Sequence, residues 1–231
     1  MPAKLKNKLS DLQNEEFDAL YQQAVAFKQD KDYVRAIEVY TNIIARRKDV
    51  EGCLECARLY EDVGDIYFEL KDFQHAFEYL EKALHIYADN NEYDLQLSQY
   101  KKIGGLQQGI WQFQKSIDIF QQGLSLSKRL DKKDRIVEFE LLMGNVLNWA
   151  DRLEEAERFL VSAIEKESKL NLPLIKLRAH VSYAILLRKM RKFDQADKFF
   201  KLGMKLSAEN GNAYLMDITK SYGIMQFEIG N

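Results

Sequence analysis

Proline is nearly absent from this 231-residue chain, which has only Pro2 and Pro173. Proline breaks helix interiors and is confined to the edges of sheets, so its scarcity suits a nearly all-helical protein. No run of eighteen apolar residues occurs, which excludes a membrane-spanning helix on length. The N-terminal stretch from Met1 to Phe17 starts basic but has no apolar core, so it does not read as a secretory leader. An intracellular location, cytoplasmic or nuclear, is therefore expected. The net charge of −2 lacks the basic excess of a dedicated nucleic-acid binder. Cysteine is confined to a single Cys-x-x-Cys, Cys53 and Cys56. A zinc site needs further ligands at suitable spacing, and His75, His85 and His180 form no such cluster, so the pair reads as small packed helix residues. There is no glycine-rich phosphate loop and no histidine paired with a nucleophile at a known spacing. The chain reads as a non-enzyme without cofactor or metal.

What the sequence does have is a period. The stretch from Leu59 to Tyr87 sets Tyr60, Val63, Gly64 and Tyr67 on one helical face, then Phe73, Ala76, Phe77, Leu80 and Ala83 on another. Only Lys71 and Asp72 separate the two, so the helices are expected to fold back antiparallel. Glycine inside a helix costs about 1 kcal/mol relative to alanine. Gly64 therefore implies close approach of the second helix, with Ala76 supplying the same allowance. Sliding this segment along the chain gives five copies at a spacing of forty. The first-helix small residue recurs as Ala24, Gly64, Gly104, Gly144 and Ala184, and the second-helix one as Ala36, Ala76, Ser116, Ala156 and Ala196. Each second helix opens on Tyr33, Phe73, Phe113, Leu153 or Phe193. Four residues beyond each second small residue stands Tyr40, Leu80, Phe120, Leu160 or Phe200. A further small slot holds Ile43, Ala83, Gly123, Ala163 and Gly203, of which only Ile43 is out of character.

These residues resemble the tetratricopeptide repeat over about residues 15 to 231. The match is to the forty-residue, long-helix class found in Pins-type adaptors and Rap-like regulators. Leu142-Met143-Gly144-Asn145 with Leu153-Glu154-Glu155-Ala156 carries it best. The family's proline after the second helix is missing, and Gln107 stands where an aromatic is preferred. The resemblance implies an all-α fold, a right-handed superhelical solenoid of five helical hairpins plus a further C-terminal helix, whose first helices line a concave groove.

The expected organisation is a polar tail or capping helix over 1–14, then hairpins over about 15–50, 51–91, 92–130, 131–171 and 172–211. Residues 212–231 then form either a terminal cap or the first helix of a sixth, incomplete repeat. Their many apolar residues, among them Ile218, Tyr222, Met225 and Phe227, favour the incomplete repeat. Gly109 is expected to stop the first helix of repeat three, Asp131 to cap that of repeat four, and Pro173 to open that of repeat five. Trp111, at a turn, reads first as a staple packing onto the next hairpin.

The resemblance implies a protein or peptide partner in the groove, and register assigns the residues that would face it. They include Arg58, Asp62 and Asp65 in repeat two, Lys101 and Lys102 in repeat three, Asn145, Asn148 and Trp149 in repeat four, and Arg178 and Arg188 in repeat five. Leu141 and Val181 fall in the same set. Asn145 matches the position at which peptide-binding members of the family hold a ligand backbone through a side-chain amide, which offers donor and acceptor together. Three functions remain open: an adaptor holding a partner's peptide or helix, a peptide-sensing segment of a larger signalling protein, and nucleic-acid binding through the basic run Arg188 to Lys192 with Lys198, Lys201 and Lys205.

Overall fold

The computed structural model describes residues 3–46 and 53–230, with side chains described from Glu16 onward. Among these residues there are eleven helices and no strand. They are α1 (Ala3–Gln29), α2 (Tyr33–Arg46), α3 (Leu54–Glu69), α4 (Phe73–Asp89), α5 (Tyr93–Gly109) and α6 (Phe113–Arg129). There follow α7 (Lys133–Trp149), α8 (Leu153–Glu167), α9 (Pro173–Lys189), α10 (Phe193–Glu209) and α11 (Leu215–Glu228). Odd-numbered helices are the first of each hairpin and even-numbered ones the second. α1 runs without a break from Ala3 through the end of the segment 1–14 that the sequence sets apart as a tail or capping helix. Tyr33, Phe73, Phe113, Leu153 and Phe193 are each the first residue of an even-numbered helix.

Met1–Gln99 and Tyr100–Asn231 form two compact units, divided within α5. In the first, α1 packs on α2 and α3 on α4, and Ala24, Ala36, Tyr40, Ile43, Leu59, Val63 and Ile66 make one core cluster. In the second, α7 pairs with α8 and α9 with α10, while α11 closes on α10. Its C-terminal core gathers Leu177, Ala184, Leu187, Ala196, Phe200, Ile218 and Met225.

The ladder of small residues is a ladder of close contacts. A Cβ built on Gly64 would lie 2.8 Å from Leu80 Cγ and 3.1 Å from the Ala76 carbonyl oxygen. On Gly104 it would enter the Phe120 ring at 2.3 Å, and on Gly144 it would sit 2.5 Å from Leu160 Cγ. Each first-helix glycine thus admits the large residue sixteen positions later, and Tyr40, Leu80, Phe120, Leu160 and Phe200 are all fully buried. Burial of one such side chain is worth roughly 1.5–3 kcal/mol, more than the propensity cost of the glycine beside it. Where Ser116 replaces alanine, its Oγ donates to the Gly104 carbonyl oxygen at 2.7 Å, so the buried hydroxyl is satisfied by the helix it touches.

The turns follow a second period. Lys71, Asn91, Trp111, Asp131, Asp151, Asn171 and Arg191 all take left-handed backbone with φ between 49° and 65°, and Gly211 follows at 66°. They stand twenty residues apart, alternating within and between hairpins. Except after Asn171, the next residue's N–H reaches back five positions, as from Asp72 to Tyr67 O at 2.9 Å and from Gln112 to Gln107 O at 2.9 Å. This is the Schellman ending, which satisfies the last carbonyls of the helix. After Asn171 the Leu172 N–H donates instead to Glu167 Oε1 at 3.2 Å, because α8 has already ended at Glu167. α5 ends at Gly109 as expected, and the left-handed residue of the turn that follows is Trp111. One expectation is corrected. Asp131 is itself left-handed, and Lys132 holds the N-cap position of α7 with no side-chain cap bond. Pro173 is the first residue of α9.

Candidate binding groove

In the first unit, the three residues assigned to a groove lie on α3. Arg58 is exposed, whereas Asp62 and Asp65 are partly buried. Lys28 of α1 reaches Asp62 Oδ1 at 2.7 Å and Asp65 Oδ2 at 3.6 Å, and the Tyr21 hydroxyl donates to Asp62 Oδ2 at 3.1 Å. Burial, and then the charge of Asp62, push the Tyr21 hydroxyl above its ordinary range. Asp62 and Asp65 therefore already share one lysine from the neighbouring first helix.

In the second unit, side chains from four successive first helices meet around a cavity of about 510 Å³. Gln108 comes from α5, Asn145, Asn148 and Trp149 from α7, Ser182, Ile185, Arg188 and Lys189 from α9, and Asp217, Lys220, Ser221 and Ile224 from α11. The register makes this convergence inevitable. Gln108, Asn148 and Arg188 are one position carried through three repeats at a spacing of forty, and Asn145 and Ile185 are another. Asn148 is only 7% exposed, and its Oδ1 is buried without a partner. A buried acceptor left unpaired costs about 1–3 kcal/mol, and the residue that carries this one lines the cavity. Arg188 donates through Nη1 to Glu228 Oε1 at 2.6 Å, yet its Nε is buried and unpartnered. Lys189 Nζ donates to the Asn148 carbonyl oxygen at 2.6 Å, adding a positive charge at the C-terminal end of α7. Asn145 is half-buried and makes no side-chain hydrogen bond among the described residues.

Beside this cavity, and sharing Gln108 and Trp149 with it, is an aromatic cleft of about 320 Å³. Trp111, Phe113 and Trp149 wall it, and Gly105 and Gly109 complete its lining. A Cβ on either glycine would meet nothing within 4 Å. Trp111 lies edge-on to Trp149 at 6.0 Å between centroids and remains 71% exposed, as Trp149 is 58% exposed. Trp111 thus packs onto the next hairpin through Trp149, as a staple would, while staying largely exposed. It shields one face of a cleft that stays open to solvent. Left-handed backbone at so large a residue would suggest a functional strain, but the same conformation recurs at every described turn of the period, so here it belongs to the turn.

Other assigned residues are distributed differently. Lys101 binds Glu138, the next first helix's carboxylate, which Arg135 Nη1 also reaches at 2.9 Å. Lys102 and Arg178 are half-buried and outside the cavity lining. Leu141 is fully buried and Val181 8% exposed, so both are core residues and not groove residues. Sequence reasoning missed Lys189, Lys220, Ser221 and Ile224. The signal was available: Ser221 and Ile224 stand thirty-nine residues after Ser182 and Ile185, the one-residue slip visible at Tyr222-Gly223. The basic run of repeat five is largely engaged within the fold. Lys192 pairs with Glu157 at 2.9 Å and Lys201 with Asp197 at 2.8 Å, in addition to the Arg188 and Lys189 contacts.

Helical hairpins in strict register, with polar and apolar side chains converging from consecutive first helices, define a helical-repeat scaffold. Residues 15–89 match the tetratricopeptide repeat family model. The ladder continues the same spacing through five copies, so the resemblance to tetratricopeptide repeats extends beyond the matched residues. It is 21% identical over 203 residues to the response regulator aspartate phosphatase E of Bacillus subtilis (strain 168), covering 87% of this chain and 54% of that protein. The chain thus spans about half the length of this curated relative. Among solved structures, it matches aspartyl phosphate phosphatase F from Bacillus subtilis with a TM-score of 0.76 at 18% identity, over 96% of this chain and 59% of the other. It also matches a Rap protein complexed with competence and sporulation factor, with a TM-score of 0.63 at 20% identity, over 92% and 61% of the two chains. At these identities the structural matches establish the fold. No helix among the described residues is long and apolar enough to cross a membrane.

Proposed function

We propose that the chain is an intracellular, non-catalytic binding module that holds a peptide or helical segment of a partner on the first-helix face of its second unit. The observation that carries this reading is the cavity lined by α5, α7, α9 and α11, with Asn148, whose buried Oδ1 has no partner, among its lining residues. Amide, hydroxyl and cationic groups beside an open aromatic cleft are what an extended ligand needs: backbone partners on one side and an apolar anchor on the other. Lys101, Lys102 and Arg178 of the same unit extend the proposed set of partner-binding residues, and Arg58, Asp62 and Asp65 are proposed as a separate set on the first unit. The chain contains only two tryptophans, and both line the cleft, so intrinsic fluorescence reports on ligand binding. Titration with peptides selected from a random library is expected to quench or shift that emission. Asn145→Ala, Asn148→Ala and Trp149→Ala together are expected to weaken binding at least tenfold. Unchanged affinity in the triple variant would reject the site.

A second reading, a peptide-sensing segment of a larger signalling protein, is favoured by the relatives: one is named a response regulator phosphatase, and one was solved with a competence and sporulation factor. Binding of short free peptides with full affinity would support it, whereas binding only to a folded partner would favour the adaptor. The pairing of the basic run weighs against nucleic acid as the ligand.

A further inference from the structure

Cys53 occupies the N-cap of α3 in extended backbone, and its Sγ accepts the N–H of Cys56 at 3.3 Å. Serine or threonine oxygen usually performs this task. The same geometry brings the two sulfurs to 2.8 Å, closer than non-bonded sulfur atoms normally lie, although both residues are thiols. They differ in access. Cys53 is partly exposed, while Cys56 is 4% exposed and packed with Ala57, Ala83, Ile86 and Tyr87.

We propose that Cys53 and Cys56 form a reversible dithiol–disulfide site, driven by a low-molecular-weight disulfide such as oxidised glutathione. The exposed Cys53, as thiolate, attacks one sulfur of the small disulfide. This forms a mixed disulfide and releases one small thiolate. Cys56, losing its proton to solvent, then attacks Cys53 Sγ and expels the second small thiolate. Two protein thiols are oxidised and one small disulfide is reduced to two thiols, which balances atoms and electrons. The fold contributes geometry: the cap holds the resolving sulfur 2.8 Å from Cys53 Sγ, so ring closure needs little rearrangement and converts a hydrogen-bonded cap into a covalent one.

The test is to equilibrate the whole chain with mixtures of reduced and oxidised glutathione, quench by acid and alkylation, and read intact mass and peptide maps. The wild type is expected to lose the mass of two hydrogen atoms and carry no adduct. Half-oxidation should fall at a reduced-to-oxidised ratio shifted by about tenfold or more toward reducing conditions relative to the same chain in urea. Cys56→Ser is expected to accumulate a stable glutathione adduct on Cys53. In the folded Cys53→Ser variant, the buried Cys56 should resist adduct formation. A persistent Cys53 adduct on the native wild type without ring closure would overturn the proposal, and so would equal half-oxidation ratios in buffer and in urea. Both decisive measurements use the wild type, so they stand even if Cys56→Ser disturbs the core.

Discussion

Gly104 and Gly105 are adjacent in α5, and their replacement by alanine should move stability in opposite directions. Helix propensity alone makes each substitution stabilising by about 1 kcal/mol. At Gly105 nothing lies within 4 Å of the new Cβ, so that gain should appear nearly whole. At Gly104 the Cβ would sit 2.3 Å from Phe120 Cε1 and 2.6 Å from Cδ1. Phe120 is fully buried and backed by Phe139, whose ring in turn fills the space beside Gly123, with 2.3 Å to a Cβ there. The ring has nowhere to retreat. Moving α5 away from α6 would instead stretch the buried Ser116 bond to the Gly104 carbonyl, now 2.7 Å. Overpacking of this kind costs about 1–3 kcal/mol, and the clash here calls for the upper end. After the propensity gain, Gly104→Ala should lose about 2 kcal/mol while Gly105→Ala gains up to about 1. Urea unfolding followed by circular dichroism measures both, as opposite shifts of the midpoint at constant m. If both variants shift the same way, the account of the ladder as a set of steric contacts is wrong.

Further outcomes follow from other contacts. Ser116→Ala should cost about 1 kcal/mol in urea unfolding, because it leaves the buried Gly104 carbonyl one partner short. Burial pushes the Glu138 carboxyl up, but bonds and charges from Lys101 and Arg135 more than reverse this and hold it below its ordinary 4.5. Below that value the unfolded chain takes up the proton first, so stability is lost as pH falls through the lowered folded value. Glu138→Gln should remove this component from the pH dependence of the unfolding midpoint, and an unaltered profile would contradict the assignment. Trp111→Ala should weaken ligands that carry a bulky apolar side chain at least tenfold and leave fully polar ones nearly unaffected, as measured by calorimetry. Because Arg188, Lys189, Lys192 and Lys201 are already paired, any affinity for DNA should stay weak even in low salt, as read by filter binding.

The architecture was readable because it repeats. A small residue opposite a large one, sampled five times at one spacing, identifies helices, faces and pairing before any coordinate is known. The turn conformations were not readable. Lys71, Trp111 and Arg191 have no preference for left-handed backbone, and closure between two packed helices imposes it on whatever residue arrives there. Groove membership was partly legible, since register placed Asn145, Asn148, Trp149 and Arg188 together. It failed where neighbouring helices decide exposure, as at Leu141, and where an ion pair from another helix cancels a charge, as Lys28 does for Asp62. The contribution of α11 was hidden by a slip of a single residue.

The left-handed turns make the array countable in whole steps. Asp131 and Asn171 share left-handed backbone, and both precede the N-cap residue of the next first helix. Joining Asp131 directly to Leu172 would therefore excise one hairpin and leave every later residue in phase. A residue added or removed inside a helix would instead rotate the rest of that helix by about 100° and set apolar positions toward water. A connection can absorb such a slip: Ser221 and Ile224 stand thirty-nine residues after Ser182 and Ile185, yet all four line one cavity.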